Sequence, residues 1–280
     1  MNRIGKWRGL SLLCTTTALG LTACGPAEVL DAQPEVEAAA TGQVAQTLGR
    51  TFGTFCTESY QNGWQKTLSE SHERCSWFND ELNDTDTQSF YYNLKGARPF
   101  LENSLDSSGA ETVDHVFLNT HGGAWSDGAV YAMWDQGSLA NTKNMRLGDE
   151  STGLSILSTY ACATLYNGDN KLISRWANTL RGGLRFVTGS WDKLYDGITT
   201  NEVGEDYADE LQGGATIRYA WRDATSDWHA DQDPAVMASG TGESDCLSRL
   251  KNMKWTNFTN YPRRVDGAVT WICRTRWSNL

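Results

Sequence analysis

Short apolar runs alternate with segments of helical periodicity from about residue 50 to the end of the chain. Such runs of five to eight residues are typical of strands buried on both faces. The predicted strands are Thr51–Thr57, Val113–Thr120, Leu154–Tyr160, Leu184–Thr188, a segment near Val236, and Ala268–Cys273.

Four segments place apolar residues at every third or fourth position, which predicts helices. They are Phe90–Leu105, Leu172–Leu180, Val203–Leu211 and Ile217–Trp228. We expect Gly96 and Pro99 to kink or split the first of them. The acidic segment Asn79–Thr87 is predicted to be a loop. Strands that alternate with helices predict an α/β fold, a three-layer sandwich with a mainly parallel sheet.

The first 23 residues have the pattern of an export signal. Arg3, Lys6 and Arg8 precede the apolar stretch Leu10–Ala23. A basic start, a short apolar segment and small residues at its end are typical of a secretory signal peptide. The stretch is shorter than the roughly 20 apolar residues that span a bilayer.

The residues Leu21-Thr22-Ala23-Cys24-Gly25 resemble the bacterial lipobox. The resemblance implies cleavage after residue 23 and lipid attachment to Cys24, so that the protein contacts the membrane through its lipid anchor only. Gly25 is not the aspartate that retains lipoproteins in the inner membrane, which favours the outer membrane or cell surface of the envelope. The alternative is an ordinary signal peptide with a chance cysteine.

Residues 25–49 contain no Lys or Arg and are rich in Ala, Gln, Glu and Pro. This composition predicts a disordered tether over residues 24–49, followed by one α/β domain over residues 50–280. Removal of residues 1–23 lowers the count of Lys and Arg from 24 to 21, against 34 Asp and Glu. Because such an acidic chain is repelled by phosphate backbones, no nucleic-acid partner is expected. We expect a monomer.

Five of the seven cysteines remain after Cys14 leaves with the signal and Cys24 takes the lipid. Thiols tend to pair in an exported protein. The most local scheme pairs Cys56 with Cys75 and Cys246 with Cys273, and leaves Cys162 as a thiol. Other pairings remain open. An unpaired Cys162 is either a nucleophile or an inert buried residue.

Two of the predicted buried strands end in reactive residues. Val116–Thr120 is followed by His121-Gly122-Gly123, and Leu154–Tyr160 is followed by Ala161-Cys162. Since the carboxyl ends of parallel strands meet at one edge of a sheet, the imidazole and the thiol are expected to lie close together. His121 then acts as general base and acid, and Cys162 as nucleophile. The backbone amides of Gly122 and Cys162 are candidates for an oxyanion hole.

These two elements resemble the caspase-like cysteine peptidases, which include caspases, metacaspases, legumains and gingipains. The shared pattern is an apolar strand ending in His-Gly, here 117–122, and a later apolar strand ending in Ala-Cys, here 157–162. The resemblance covers about residues 110–190. It implies a caspase-like architecture and a cysteine-type endopeptidase acting on a peptide or protein substrate.

The substrate pocket departs from part of that family. Members that cleave after basic residues often carry an acid two positions before the nucleophile, where this chain has Tyr160. Asp192 is a candidate to attract a basic side chain, or else a solvated loop acid. Trp125 and Trp191 fall in loops where they are expected to shape a substrate groove.

No metal site or cofactor is expected. The sequence has no His-Glu-x-x-His and no Cys-x-x-Cys, and His115 lies within a predicted strand. The twelve tryptophans leave an alternative function open. A catalytically inactive caspase-like protein or a Trp-rich binding lipoprotein would use exposed indole rings to hold its ligand.

Overall fold

The computed structural model describes residues 49–93, 97–102, 105–135, 139–149, 153–227, 232–261 and 271–278. The predicted signal peptide, Cys24 and the predicted tether up to residue 48 lie outside the described residues. Among the helices described, none combines the length and the apolar character needed to cross a membrane.

The described residues form ten strands and five α-helices. The strands are β1 (Thr51–Cys56), β2 (Thr87–Asn93), β3 (His115–Asn119), β4 (Gly122–Ala124), β5 (Ala129–Ala132), β6 (Leu139–Asn141), β7 (Ile156–Tyr160), β8 (Phe186–Ser190), β9 (Pro234–Gly240) and β10 (Trp271–Arg276). The helices are α1 (Ser71–Asn83), α2 (Leu172–Arg181), α3 (Val203–Gln212), α4 (Ile217–Ser226) and α5 (Glu243–Asn252).

Seven strands form one large sheet in the order β2-β1-β3-β7-β8-β9-β10. The first five are parallel, and β9 runs antiparallel to both β8 and β10. Strands β4, β5 and β6 form a small antiparallel sheet. The predicted α/β class and mainly parallel sheet are confirmed.

Two hydrophobic cores lie on opposite faces of the large sheet, because successive side chains of a strand point to opposite sides. In β3, Phe117 packs into the core that includes residues of α1, α3, α4 and α5. Its neighbours Val116 and Leu118 pack into the core that includes α2 and the small sheet. The sheet is thus covered on both faces, as a sandwich requires.

The predicted helix Phe90–Leu105 is wrong. Phe90 lies in the edge strand β2, which pairs with β1, and its ring packs over Gly53. A Cβ added to Gly53 would lie 2.3 Å from that ring, so the missing side chain makes room for it. Among the residues that gave the helical spacing, Phe90 lies in the edge strand, and Ala97 and Leu101 flank the 3-10 turn Arg98–Phe100. Leu94 and Gly96 lie outside the described residues.

The predicted loop Asn79–Thr87 is also wrong, since its first five residues belong to α1. The buried face of α1 carries Ser71, Arg74 and Asn79 as well as apolar residues. These buried polar side chains interrupt the apolar stripe by which an amphipathic helix is recognised.

The structure contains disulfides between Cys56 and Cys75 and between Cys246 and Cys273. The first joins the end of β1 to α1, with Cα atoms 6.3 Å apart, and the second joins α5 to β10, with Cα atoms 5.8 Å apart. Both expected pairings are confirmed, and Cys162 is a half-buried free cysteine.

Candidate active site

His121 and Cys162 leave the large sheet at equivalent positions of neighbouring strands. In the parallel pairing of β3 with β7, Asn119 lies opposite Tyr160. The alignment continues for one more residue, because the amide of Thr120 donates to the carbonyl of Tyr160 at 3.3 Å. His121 and Cys162 each stand two residues beyond the Asn119–Tyr160 pair, and both line one cavity.

The imidazole of His121 is held by two neighbours from the segment that follows β1. Its Nε2 atom lies 2.7 Å from the backbone carbonyl oxygen of Lys66. The ring stacks on Tyr60, with centroids 5.5 Å apart and planes 23° apart. Tyr60 also fixes the backbone here, since its hydroxyl accepts a hydrogen bond from the His121 amide at 3.2 Å and lies 3.0 Å from the Thr120 hydroxyl.

The Lys66 carbonyl determines which nitrogen of His121 carries the proton. A carbonyl oxygen only accepts hydrogen bonds, so the 2.7 Å contact requires a hydrogen on Nε2. In the neutral imidazole Nδ1 is then the unprotonated nitrogen. This arrangement makes Nδ1 the atom that can take a proton from a nucleophile.

The Cys162 thiol lies against the backbone of Leu194. The Leu194 amide donates to Sγ at 3.3 Å, and Sγ lies 3.7 Å from the Leu194 carbonyl oxygen. An N–H group directed at sulfur stabilises a thiolate more than a thiol. The thiol is thus half-buried and has both a backbone donor and a backbone acceptor within reach.

A sharp bend follows Cys162. Ala163 has a φ of 54°, in the left-handed region that residues other than glycine rarely adopt. Its amide donates to the Asp192 carbonyl oxygen at 2.8 Å. This bond ties the bend to the loop after β8 and holds Cys162 at the strand end.

Gly122 packs directly on the segment that carries the thiol. A Cβ added to Gly122 would lie 2.8 Å from Ala161 Cβ, 2.9 Å from the Cys162 carbonyl oxygen and 3.0 Å from Thr164 Cγ2. Only glycine fits without displacing one of these neighbours, whereas at Gly123 the nearest atom would be 3.6 Å away. The His-Gly and Ala-Cys segments are therefore in van der Waals contact.

The two candidate oxyanion donors are available. Within the small sheet, Trp125 N donates to Gly128 O, and Ala132 N donates to His121 O. Because bonded and non-bonded pairs alternate in an antiparallel ladder, the pair of Gly122 with Tyr131 is non-bonded. The Gly122 N–H therefore points away from β5. In the described part of the chain, the Cys162 amide donates no hydrogen bond.

The cavity in front of the thiol has a volume of about 410 Å³. It is lined by residues 66–68, 119–121, 160–162 and 193–196, and by Arg74. Three cationic residues, Lys66, Arg74 and Lys193, and one acid, Asp196, belong to this lining.

Arg74 forms the charged floor of this cavity. Its side chain is fully buried, donates to Asp196 Oδ1 at 2.7 Å and to the Thr200 carbonyl oxygen at 2.8 Å, and lies 4.5 Å from the centre of the Tyr160 ring. Removal of either partner of a buried ion pair leaves a buried charge uncompensated. Arg74 and Asp196 therefore hold α1 against the loop after β8.

Tyr160 lies in the cavity lining, where the sequence placed it. Burial raises the pKa of Tyr160, and the nearby Arg74 guanidinium lowers it in part. The hydroxyl stays protonated and donates to the Tyr195 carbonyl oxygen at 2.7 Å. This hydrogen bond fixes the position of Tyr195, which lines the same cavity.

A second cavity of about 280 Å³ also has His121 in its lining. Its lining consists of His121 and seven residues without charge. These are Gln65, Gly122, Gly123, Trp125, Val130, Ala132 and Leu139. Trp125, a predicted groove residue, is 51% exposed.

Trp191 and Asp192 are not among the residues that line these two cavities. The Trp191 ring packs against Tyr166, at 5.7 Å between centroids, and under the Arg276 guanidinium, at 4.2 Å. Asp192 acts through its backbone oxygen, which accepts from Ala163. Among the described residues, no cluster of three or more His, Cys, Asp or Glu could hold a metal ion.

Sequence reasoning missed five residues of the site: Tyr60, Lys66, Arg74, Leu194 and Asp196. Lys66 acts on His121 through its backbone, which no side-chain pattern reveals. For Arg74 the sequence offers one indication, its position next to Cys75. The disulfide of Cys75 fixes α1 to the end of β1.

Comparison with known proteins gives a family without an assigned activity. No curated protein matches the chain. A family described as a domain of unknown function matches residues 56–275, a span that includes every residue of the site just described. The chain belongs to this family, DUF6345.

Proposed function

We propose that this protein is a cysteine peptidase-like hydrolase of caspase-like architecture that cleaves peptide bonds with a His121–Cys162 dyad. One observation carries the proposal: the two residues follow β3 and β7 at the same register and line one cavity. A base and a thiol that share a cavity constitute the minimum machinery for nucleophilic acyl transfer.

The reaction begins when His121 Nδ1 takes the Cys162 proton and the thiolate attacks the substrate carbonyl carbon. The new C–S bond converts the carbonyl to an oxyanion, which the Gly122 and Cys162 amides stabilise. His121 returns its proton to the leaving amine as the C–N bond breaks. Water, deprotonated by His121, then cleaves the thioester and releases the acid.

Each neighbour of the dyad has a part in these steps. The Lys66 carbonyl, bound to Nε2, keeps Nδ1 free as the base and stabilises the charge of the imidazolium. The Leu194 amide stabilises the thiolate before attack. The bend at Ala163 holds the thiol at the strand end.

The proposed location is the bacterial cell envelope, with lipid on Cys24. The Leu21–Cys24 sequence supports it. Metabolic labelling with an alkyne fatty acid tests it: label is expected on the wild-type protein and absent from Cys24→Ser. Equal labelling of both would remove the anchor from the proposal.

A library of internally quenched peptides tests the activity. We expect the purified protein to cleave a subset of them, and Cys162→Ala and His121→Ala each to lower kcat/KM by about a thousandfold or more. Cys162→Ala that keeps wild-type hydrolysis would refute the mechanism. If no peptide is cleaved but some bind, the protein is the inactive binding form.

A further inference from the structure

The second cavity has a chemistry that differs from the cavity of the thiol. The thiol cavity contains three cationic residues and one acid. The second cavity, apart from His121, is lined by Gln65, glycines, Trp125 and small aliphatic residues. Because His121 is the one titratable residue of this lining, a charged side chain placed there would lose its hydration for at most one partner, whereas an apolar side chain would gain burial.

His121 lines both cavities, so its role in the reaction relates each cavity to one side of the scissile bond. The imidazole must reach the leaving nitrogen to protonate it, and the thiol must reach the carbonyl carbon. The second cavity contacts His121 and Gly122 but not Cys162. It therefore lies on the leaving-amine side, while the acyl side extends into the thiol cavity.

Trp125 is an exposed ring on an anchored turn. The turn closes with a hydrogen bond from Trp125 N to Gly128 O at 2.8 Å. Arg175 of α2 donates to the Trp125 carbonyl oxygen and is itself held by the Tyr166 carbonyl oxygen and Asp169. A large apolar ring that stays exposed on a fixed backbone is suited to contact a ligand.

We propose that this second cavity is a subsite for an apolar side chain of the substrate residue immediately after the scissile bond, with Trp125 as its main wall. This specificity rests on the proposed hydrolase activity. It assigns leucine-like or phenylalanine-like residues to the leaving side and excludes acidic ones.

The test uses internally quenched peptides that share one acyl side and carry Leu, Phe, Gly or Asp after the scissile bond. We expect the wild-type protein to prefer Leu or Phe over Asp by roughly tenfold or more in kcat/KM. Trp125→Ala should reduce this ratio to about threefold or less, because kcat/KM should fall more for the Leu and Phe peptides than for the Asp peptide. The matched control is Trp271→Ala, which removes a ring that is 45% exposed on β10, and should keep the wild-type ratio.

A binding measurement separates this subsite from the activity itself. Calorimetry with Cys162→Ala protein compares Leu-Leu-amide with Asp-Leu-amide, both of which mimic the leaving segment. Preferential binding of the leucine peptide, lost in the Cys162→Ala/Trp125→Ala double variant, supports the subsite even if no peptide is hydrolysed. Equal affinity for both peptides, or a preference unaffected by Trp125→Ala, would overturn it.

Discussion

Asn119 of β3 lies directly opposite Tyr160 of β7, and this pairing sets the relative positions of the two reactive side chains. In a parallel sheet, residues that lie the same number of positions beyond an aligned pair reach the same edge of the sheet. A shift of one residue in either strand would turn its reactive side chain to the other face. The register is thus the link between the sequence pattern and the dyad.

Gly122→Ala should impair the site, whereas Gly242→Ala, where nothing lies within 4 Å of the added Cβ, should not. The Gly122 methyl would lie under 3 Å from Ala161 Cβ and the Cys162 carbonyl oxygen, so the two segments must separate. We expect kcat/KM to fall by about tenfold or more and the free energy of unfolding to fall by about 1–2 kcal/mol. Peptide hydrolysis measures the first effect and urea unfolding measures the second. The same values for both alanine variants would contradict the close contact.

Tyr60→Phe should lower catalysis without unfolding the protein. The substitution removes the hydroxyl that accepts from the His121 amide but keeps the ring stacked on the imidazole. A loss of about fivefold in kcat/KM is expected, with a larger loss in Tyr60→Ala. Tyr219→Phe, on the exposed face of α4, is the control and should behave like wild type.

The two disulfides should contribute similar stability but differ in their effect on the site. Each closes a loop of about the length for which bridging is worth about 3 kcal/mol. Cys246→Ser/Cys273→Ser should lose that stability in urea unfolding and keep its activity. Cys56→Ser/Cys75→Ser should lose both, because it frees α1, which carries Arg74 to the cavity floor. Unchanged kcat/KM in the second pair would show that α1 is held without its bridge.

Glu111 should make the stability of the fold depend on pH. Burial raises the pKa of its carboxyl group to about 7, although the amides of Gly148 and Leu154 donate to it and lower it in part. Between the ordinary value of 4.5 and about 7, the folded protein therefore binds more protons than the unfolded chain.

The stability contributed by Glu111 is consequently greatest at low pH and falls as pH rises through this window. Across it, the free energy of unfolding of wild type should fall by roughly 3 kcal/mol relative to Glu111→Gln, which does not titrate. Urea unfolding of both proteins at pH 4.5 and 7.5 gives the difference. Curves that stay parallel across the window would rule out the shifted pKa.

The strands that carry the dyad could be predicted from sequence because they are central and buried on both faces. All residues of β3 and β7 are buried, and their apolar residues Val116–Leu118 and Ile156–Leu157 are adjacent instead of alternating, as in central parallel strands. The edge strand β2 and the helix α1 could not. In β2, Phe90 packs its ring over Gly53, a contact that the spacing of apolar residues does not reveal. In α1, the buried face includes polar residues such as Arg74, so the helix lacks the regular apolar stripe of an amphipathic helix.

The residues that orient the dyad were beyond prediction for a different reason. Lys66 and Leu194 act through backbone atoms, so their side chains carry no signal. Asp192 was predicted from its charge, yet it contributes a backbone oxygen. Positions of this kind depend on loop conformations that only the folded chain defines.

The pairing of imidazole and thiol is tested most directly by the rate at which iodoacetamide alkylates Cys162, followed by peptide mass spectrometry from pH 5 to 9. We expect alkylation of the wild-type thiol to be faster than that of free cysteine near neutral pH, and His121→Ala to slow it by about tenfold or more. Equal rates in wild type and His121→Ala at every pH would show that the ring does not act on the sulfur, and would contradict the dyad.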